Sequence, residues 1–121
     1  MSAQDREHMN RMLQECSRNC LETYAACTAA SAHCLDMGGE HASRGHQTTL
    51  LDCARLCLAA ADLMLRGSPI HDSMCSVCAH ACRICERYCR SLGGDDRMMS
   101  ECADKCARSA ESCETMAGHL R

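Results

Sequence analysis

Fourteen cysteines stand in a chain of 121 residues, and five of them fall in one short stretch: Cys75, Cys78, Cys82, Cys85 and Cys89. They step by three, four, three and four residues. On a helix turning about 100° per residue, all five lie within roughly 80° of one another and form a stripe about 21 Å long. Ser76, His80, Arg83 and Arg87 fall on the opposite side. The stretch therefore reads as an amphipathic helix whose inner face carries thiols where leucines ordinarily stand. Thiols in a row can be oxidised to disulfides, can act as nucleophiles, or can bind soft metal ions.

The other cysteines repeat the pattern. Cys16, Cys20, Cys27 and Cys34 share one face of a first helix. Cys53 and Cys57 share a face with Leu50, Ala60 and Met64. Cys102, Cys106 and Cys113 share a face with Met99, Ser109 and Met116. Glycine-bearing breaks at Gly38-Gly39, Gly67 and Gly93-Gly94 separate the segments, as expected at helix ends. Helices are predicted over about 3–37, 45–66, 69–91 and 95–118. Ser68-Pro69 is the predicted cap and first turn of the third, and Asp95-Asp96 suit the start of the fourth. No segment alternates with period two, so no strand is expected. Short links make successive helices antiparallel. The predicted fold is all-α, a single-domain, up-down-up-down four-helix bundle that brings every cysteine stripe to its axis.

Composition narrows the functions. The chain holds no Phe and no Trp, so Cys, Ala, Leu and the nine Met must fill the interior. A net charge of −3 gives no reason to expect a nucleic-acid or membrane partner. The longest apolar run, Leu56 to Ala61, is too short to span a bilayer. The N-terminus Met-Ser-Ala-Gln-Asp-Arg-Glu-His does not resemble a signal peptide, so the expectation is a cytoplasmic protein with its cysteines reduced.

Several thiol chemistries can be weighed. Disulfides between helical neighbours such as Cys16/Cys20 fit badly, because Cβ atoms four residues apart are about 5–6 Å apart and a disulfide needs about 3.5–4.5 Å; cross-helix disulfides stay open. Redox catalysis through Cys75/Cys78 or Cys82/Cys85 needs an accessible thiol of lowered pKa, which the middle of a buried helix face does not offer, so no enzyme is expected. A structural zinc site gathers four ligands into one knot, and iron–sulfur clusters favour compact cysteine loops, whereas these sulfurs are spread along the helices. Cu(I) fits best, because it prefers thiolate and thioether and a row of bridging thiolates can hold a row of ions. The alternatives are a zinc or general thiol-metal buffer and a disulfide-stapled structural bundle.

Cysteine stripes on all four helices, the repeated C-x-x-x-C pairs Cys16/Cys20, Cys53/Cys57, Cys78/Cys82, Cys85/Cys89 and Cys102/Cys106, and the near absence of aromatics resemble the bacterial copper storage proteins. The resemblance runs from about Cys16 to Cys113. It implies a cysteine-lined bundle that stores Cu(I), assembles as a homotetramer and, in the absence of a leader, belongs to the cytosolic kind. The expected ligands are all fourteen cysteines, at about one Cu(I) per cysteine. Met9, Met64, Met116 and His71 are candidate ligands at a copper entrance. Met37, His41, His46, Met98 and Met99 are expected at the opposite end, many of them on or beside loops. His119 is expected near the first end. His8 and His33 are expected to be exposed. Val77, Ile84 and Tyr88 form a second apolar strip for packing against a helix or another subunit.

Overall fold

The computed structural model describes residues 1–119 of the chain. Its elements are α1 (Ala3–Met37), a 3-10 turn (Gly39–Ala42), α2 (Arg44–Arg66), α3 (His71–Gly93) and α4 (Arg97–His119). Each helix packs chiefly on its two neighbours, in the cyclic order α1, α2, α3, α4 and back to α1. This is the antiparallel four-helix bundle predicted from the stripes, and no strand occurs among the described residues.

Local chemistry sets the helix ends. Ser2 caps α1 in a reciprocal box: its hydroxyl accepts from the Asp5 amide at 3.1 Å, and the Asp5 carboxylate accepts from the Ser2 amide at 3.0 Å. At 35 residues, α1 outruns its 23-residue partners, and its first buried residue is Met9, so the opening turns project beyond the bundle. Gly67 ends α2 in the left-handed region, at φ 68° and ψ 35°, and its amide donates to the Leu63 and Met64 carbonyls.

Three boundaries differ from expectation by two residues: both ends of α3, and the start of α4, which opens at Arg97 and not at 95. α3 opens at His71 with no side-chain cap, two residues after the predicted start. The Ser68 hydroxyl accepts from the Ile70 amide instead, which closes a turn over Ser68–Ile70. α3 also runs two residues further, to Gly93. At α4 the predicted acidic start holds: Asp96 accepts from the Met98 and Met99 amides at 3.0 and 3.3 Å.

The core is a column of sulfur and small apolar groups. All fourteen cysteines are at most 1% exposed, and they pack with Ala30, Leu50, Ala54, Ala60, Ala61, Met64, Met99, Ala103, Ala110 and Met116. Ala60 and Met64 face this column in the half of α2 that lacks cysteine, as their phase predicts. Every buried Lys, Arg, Asp or Glu is absent from that interior among the described residues; the buried polar side chains are Ser17, Thr23, Ser31, His46, His71 and Ser109.

Candidate metal centre

All fourteen cysteines are free thiols, and twelve of their sulfurs lie within 4.0 Å of another thiol. At one end Cys113 lies 3.6 Å from Cys16 and 3.5 Å from Cys20. Cys20 also groups with Cys57 and Cys78, and Cys57 with Cys53 and Cys82. The Cys57–Cys78, Cys57–Cys82 and Cys53–Cys82 distances are all 3.6 Å. Cys53 reaches Cys106 across the bundle at 3.9 Å. Beyond it Cys27, Cys85, Cys102 and Cys106 gather with all four sulfurs within 4.8 Å of one another, and Cys85 meets Cys89 at 4.0 Å. The i,i+4 pairs that cannot close a disulfide within one helix thus meet sulfurs from the facing helices.

Both ends of the column change ligand type. At one, the Cys75 thiol points at the Met64 sulfur, 3.6 Å away. Met9, Met64 and Met116 are all buried there. His71 is also buried, and its Nδ1 lies 2.8 Å from the Ser68 carbonyl. A carbonyl only accepts, so Nδ1 donates. The Nε2 of the same ring is buried with no partner among the described residues. His119 closes α4, and its side chain lies outside the described residues.

The other end is built more tightly than its loop-side placement suggested. His46 is fully buried, stacks on Tyr88 at a centroid distance of 5.1 Å, and sets Nε2 3.4 Å from the Cys34 sulfur. Met99 is fully buried too, with its sulfur 3.7 Å from the same thiol. Cys34 therefore meets an imidazole and a thioether. Met37 and Met98 stay exposed, as expected beside loops. His33 is less free than predicted: its Nε2 bonds to Asp96 Oδ2 at 2.9 Å, and His41 approaches the same oxygen at 3.4 Å. His8 and His80 are exposed, as predicted.

One interruption of the stripes escaped the sequence reading. Thr23 and Ser109 are fully buried with their hydroxyls 2.6 Å apart, and the Thr23 hydroxyl donates to the Lys105 carbonyl at 3.0 Å. Ser109 was placed on the cysteine face of its helix; Thr23 was not. Its signal was phase: it stands three residues after Cys20 and four before Cys27.

The thiols share protons. Hydrogen bonding, first from Cys106, pulls the Cys102 pKa down, and the same contact, first from Cys102, pushes Cys106 up. Whichever sulfur ionises first is held by its neighbours' S–H groups, and those neighbours then keep their protons. Cys34, apart from that network, is pushed up to about 11 by burial and then by the Asp96 carboxylate and Cys102. The imidazole of His46 is pushed down by burial and then by His41, which keeps it neutral and its lone pair available.

A model of the copper storage protein family matches residues 9–118 of the chain. Among solved structures, the Nmul_A1745 protein from Nitrosospira multiformis superposes with a TM-score of 0.84 at 34% identity, over 90% of this chain and 97% of that one. The Cu(I)-bound copper storage protein BsCsp3 superposes with a TM-score of 0.80 at 28% identity, over 88% of this chain and 98% of that one. A search of curated proteins gives no match. With a family match spanning nearly the whole chain and a lumen lined by buried free thiols, the protein belongs to the copper storage protein family.

Proposed function

We propose that the chain stores Cu(I) along its axis, with all fourteen cysteines as ligands and about one ion per cysteine. The observation that carries this reading is the row of buried, unbridged sulfurs, twelve of which lie within 3.5–4.0 Å of another thiol, with Cys34 and Cys75 at its ends against Met99 and Met64. Soft Cu(I) takes thiolate ligands, and each thiolate in such a row can bridge two ions.

Charge supports the ratio. Fourteen thiolates in an interior where no Lys or Arg is buried among the described residues would be an uncompensated charge, which costs several kcal/mol per ion. One Cu(I) per thiolate leaves the column neutral. The thiol protons leave as copper binds, so affinity falls with acid. Storage needs no bond-making on a substrate, and the thiols are buried away from one, so the role is non-catalytic.

The mixed-ligand ends suit exchange. Met9, Met64, Met116 and His71 are the proposed ligands at the entrance, supported by the Nε2 of His71, which has no partner among the described residues, and by the Met64–Cys75 contact. Cys34, His46 and Met99 form a terminal site at the other end. By family resemblance the bundles work as cytosolic tetramers. The exposed Leu51, Leu58 and Leu65, spaced by seven along α2, and the exposed Val77 on α3 offer a face for that assembly.

An anaerobic titration of the reduced chain with Cu(I), read against a Cu(I) chelator, tests the store. The expected end point is about fourteen ions per chain, one for each cysteine. Saturation at three or four ions with Zn(II) preferred over Cu(I) overturns it.

A further inference from the structure

The sulfur groupings are not alike. Cys16/Cys20/Cys113, Cys20/Cys57/Cys78 and Cys53/Cys57/Cys82 are triads that share members, while Cys27, Cys85, Cys102 and Cys106 form a tetrad sharing no member with any of them. The tetrad draws one sulfur from α1, one from α3 and two, an i,i+4 pair, from α4. From Cys27 the distances are 3.6 Å to Cys102, 3.8 Å to Cys106 and 4.0 Å to Cys85. A regular tetrahedron of sulfurs about 2.3 Å from a zinc ion has edges of about 3.8 Å. Three of the six edges of the cage therefore have about that length already, and the other three are no longer than 4.8 Å. None of the triads has a fourth ligand within the same distance among the described residues.

We propose that this tetrad is a separate site for one divalent ion of the Zn(II) class, held tetrahedrally by Cys27, Cys85, Cys102 and Cys106 until Cu(I) displaces it. Binding releases four protons from four thiols and leaves a site of charge −2. No Lys or Arg is buried in the interior among the described residues to offset that charge. Four Cu(I) ions on the same four thiolates leave none, so the exchange of one divalent ion for four monovalent ions balances in charge and runs toward copper. The divalent ion then acts as a placeholder that keeps the three helices in register and guards four thiols from oxidation while copper is scarce. The displacement step rests on the copper-storage reading; the divalent site does not.

Co(II), a spectroscopic stand-in for Zn(II), is the probe. Titrated anaerobically into the reduced, metal-free chain, it should give the visible ligand-field bands of tetrahedral tetrathiolate Co(II) with a plateau at one equivalent. Cys85→Ser and Cys102→Ser should each abolish that spectrum, and Cys16→Ser, in a triad, should keep it. Cadmium-113 NMR of the unmutated chain with one equivalent of Cd(II) gives an answer that no folding defect can obscure: a single resonance at the strongly deshielded four-sulfur position. Added Cu(I) should then bleach the Co(II) bands completely. A chain that gives no plateau, that keeps the bands in both tetrad variants, or whose cadmium resonance reports three sulfurs or fewer overturns the proposal. So does a Co(II) spectrum that survives excess Cu(I), for the placeholder role. Cu(I) capacity measured on the same apo samples separates the two readings, because a full copper load with no Co(II) site sinks this one alone.

Discussion

Each cysteine here would have two conflicting demands on it under the proposed function: as a core residue it must be a neutral thiol, and as a metal ligand it must be a thiolate. Cys34 shows the balance most plainly. Its pKa is raised from 9.0 to about 11, so between those values the folded chain keeps a proton that the unfolded chain has lost. The unfolded state then binds fewer protons than the native one, and stability falls as pH rises. The metal-free, reduced protein should therefore lose thermal stability from about pH 9 upward, while the copper-loaded protein, having no thiol protons left to lose, should hold its Tm through that window. Differential scanning calorimetry of both forms under anaerobic conditions decides it, and a flat apo profile up to pH 11 would count against the raised thiol. Most of the ligand column was legible at this scale, because a cysteine every three or four residues leaves few other readings. Thr23 and His46 were not. A threonine in phase with cysteines has an equally ordinary life on a helix surface, and only the facing Ser109, 2.6 Å away, makes it a buried partner. His46 stands seven residues before Cys53, in phase and inside the predicted second helix, but nothing in the sequence shows that Tyr88 stacks on its ring and that Cys34 meets its Nε2.

Helix ends and helix contacts fix which sulfurs meet. Gly45, in the first turn of α2, shows how little room there is. A Cβ built there would meet the Tyr88 hydroxyl at 2.8 Å, and Tyr88 is the ring on which His46 stacks. Gly45→Ala should push Tyr88 outward, costing about 1–3 kcal/mol as overpacking does, and should loosen the His46–Cys34 contact. The expected readouts are a lower apo Tm and a Cu(I) capacity reduced by no more than about one ion, since the remaining column is distant. An unchanged Tm would mean that the ring moves freely and that the stack does not hold His46. Gly67 tests the opposite end of the same helix. Its left-handed backbone suits glycine and strains a Cβ, so Gly67→Ala should cost about 1 kcal/mol in chemical denaturation without touching capacity. The number, order and phase of the helices could be read from the glycine breaks and the cysteine stripes. The start of α3 could not be read so well. Ser-Pro is a good helix opening by local rules, yet Ser68 caps a turn at Ile70, and the helix begins at His71 with that imidazole bonded back to the Ser68 carbonyl.

At the scale of the whole bundle, thiols can pack as apolar groups, and no Lys, Arg, Asp or Glu is buried beside them among the described residues. The reduced apo chain should therefore show a strongly helical circular dichroism spectrum, and copper should raise its Tm by mass action on the assembled column; a random-coil apo spectrum would mean that copper folds the chain, and the tube would not be preformed. A preformed tube filled with thiols must admit ions from an end, and the two ends differ. Around Cys34 the imidazole of His46 is clamped against Tyr88, and Asp96 ties His33 and His41 together outside it. Around Cys75 the groups are looser in kind: the Met64 thioether touches the thiol, Met9 and Met116 are buried, and the Nε2 of His71 has no partner among the described residues. A thioether carries no charge to neutralise and no proton to expel, so it can take and release Cu(I) faster than a thiolate that must first be deprotonated. Copper is therefore expected to pass in and out at the Met9/Met64/Met116 end. Replacing those three by Leu keeps their volume, a swap that cores tolerate at under about 1.5 kcal/mol each, and removes the ligands. Stopped-flow loading from a Cu(I) chelator should slow several-fold, and chelator-driven release should slow with it, while the final capacity stays near that of the parent. If loading keeps the parent rate, and Leu at Met98 and Met99 slows it instead, the ions use the Cys34 end, and the thioethers beside Cys75 are packing alone.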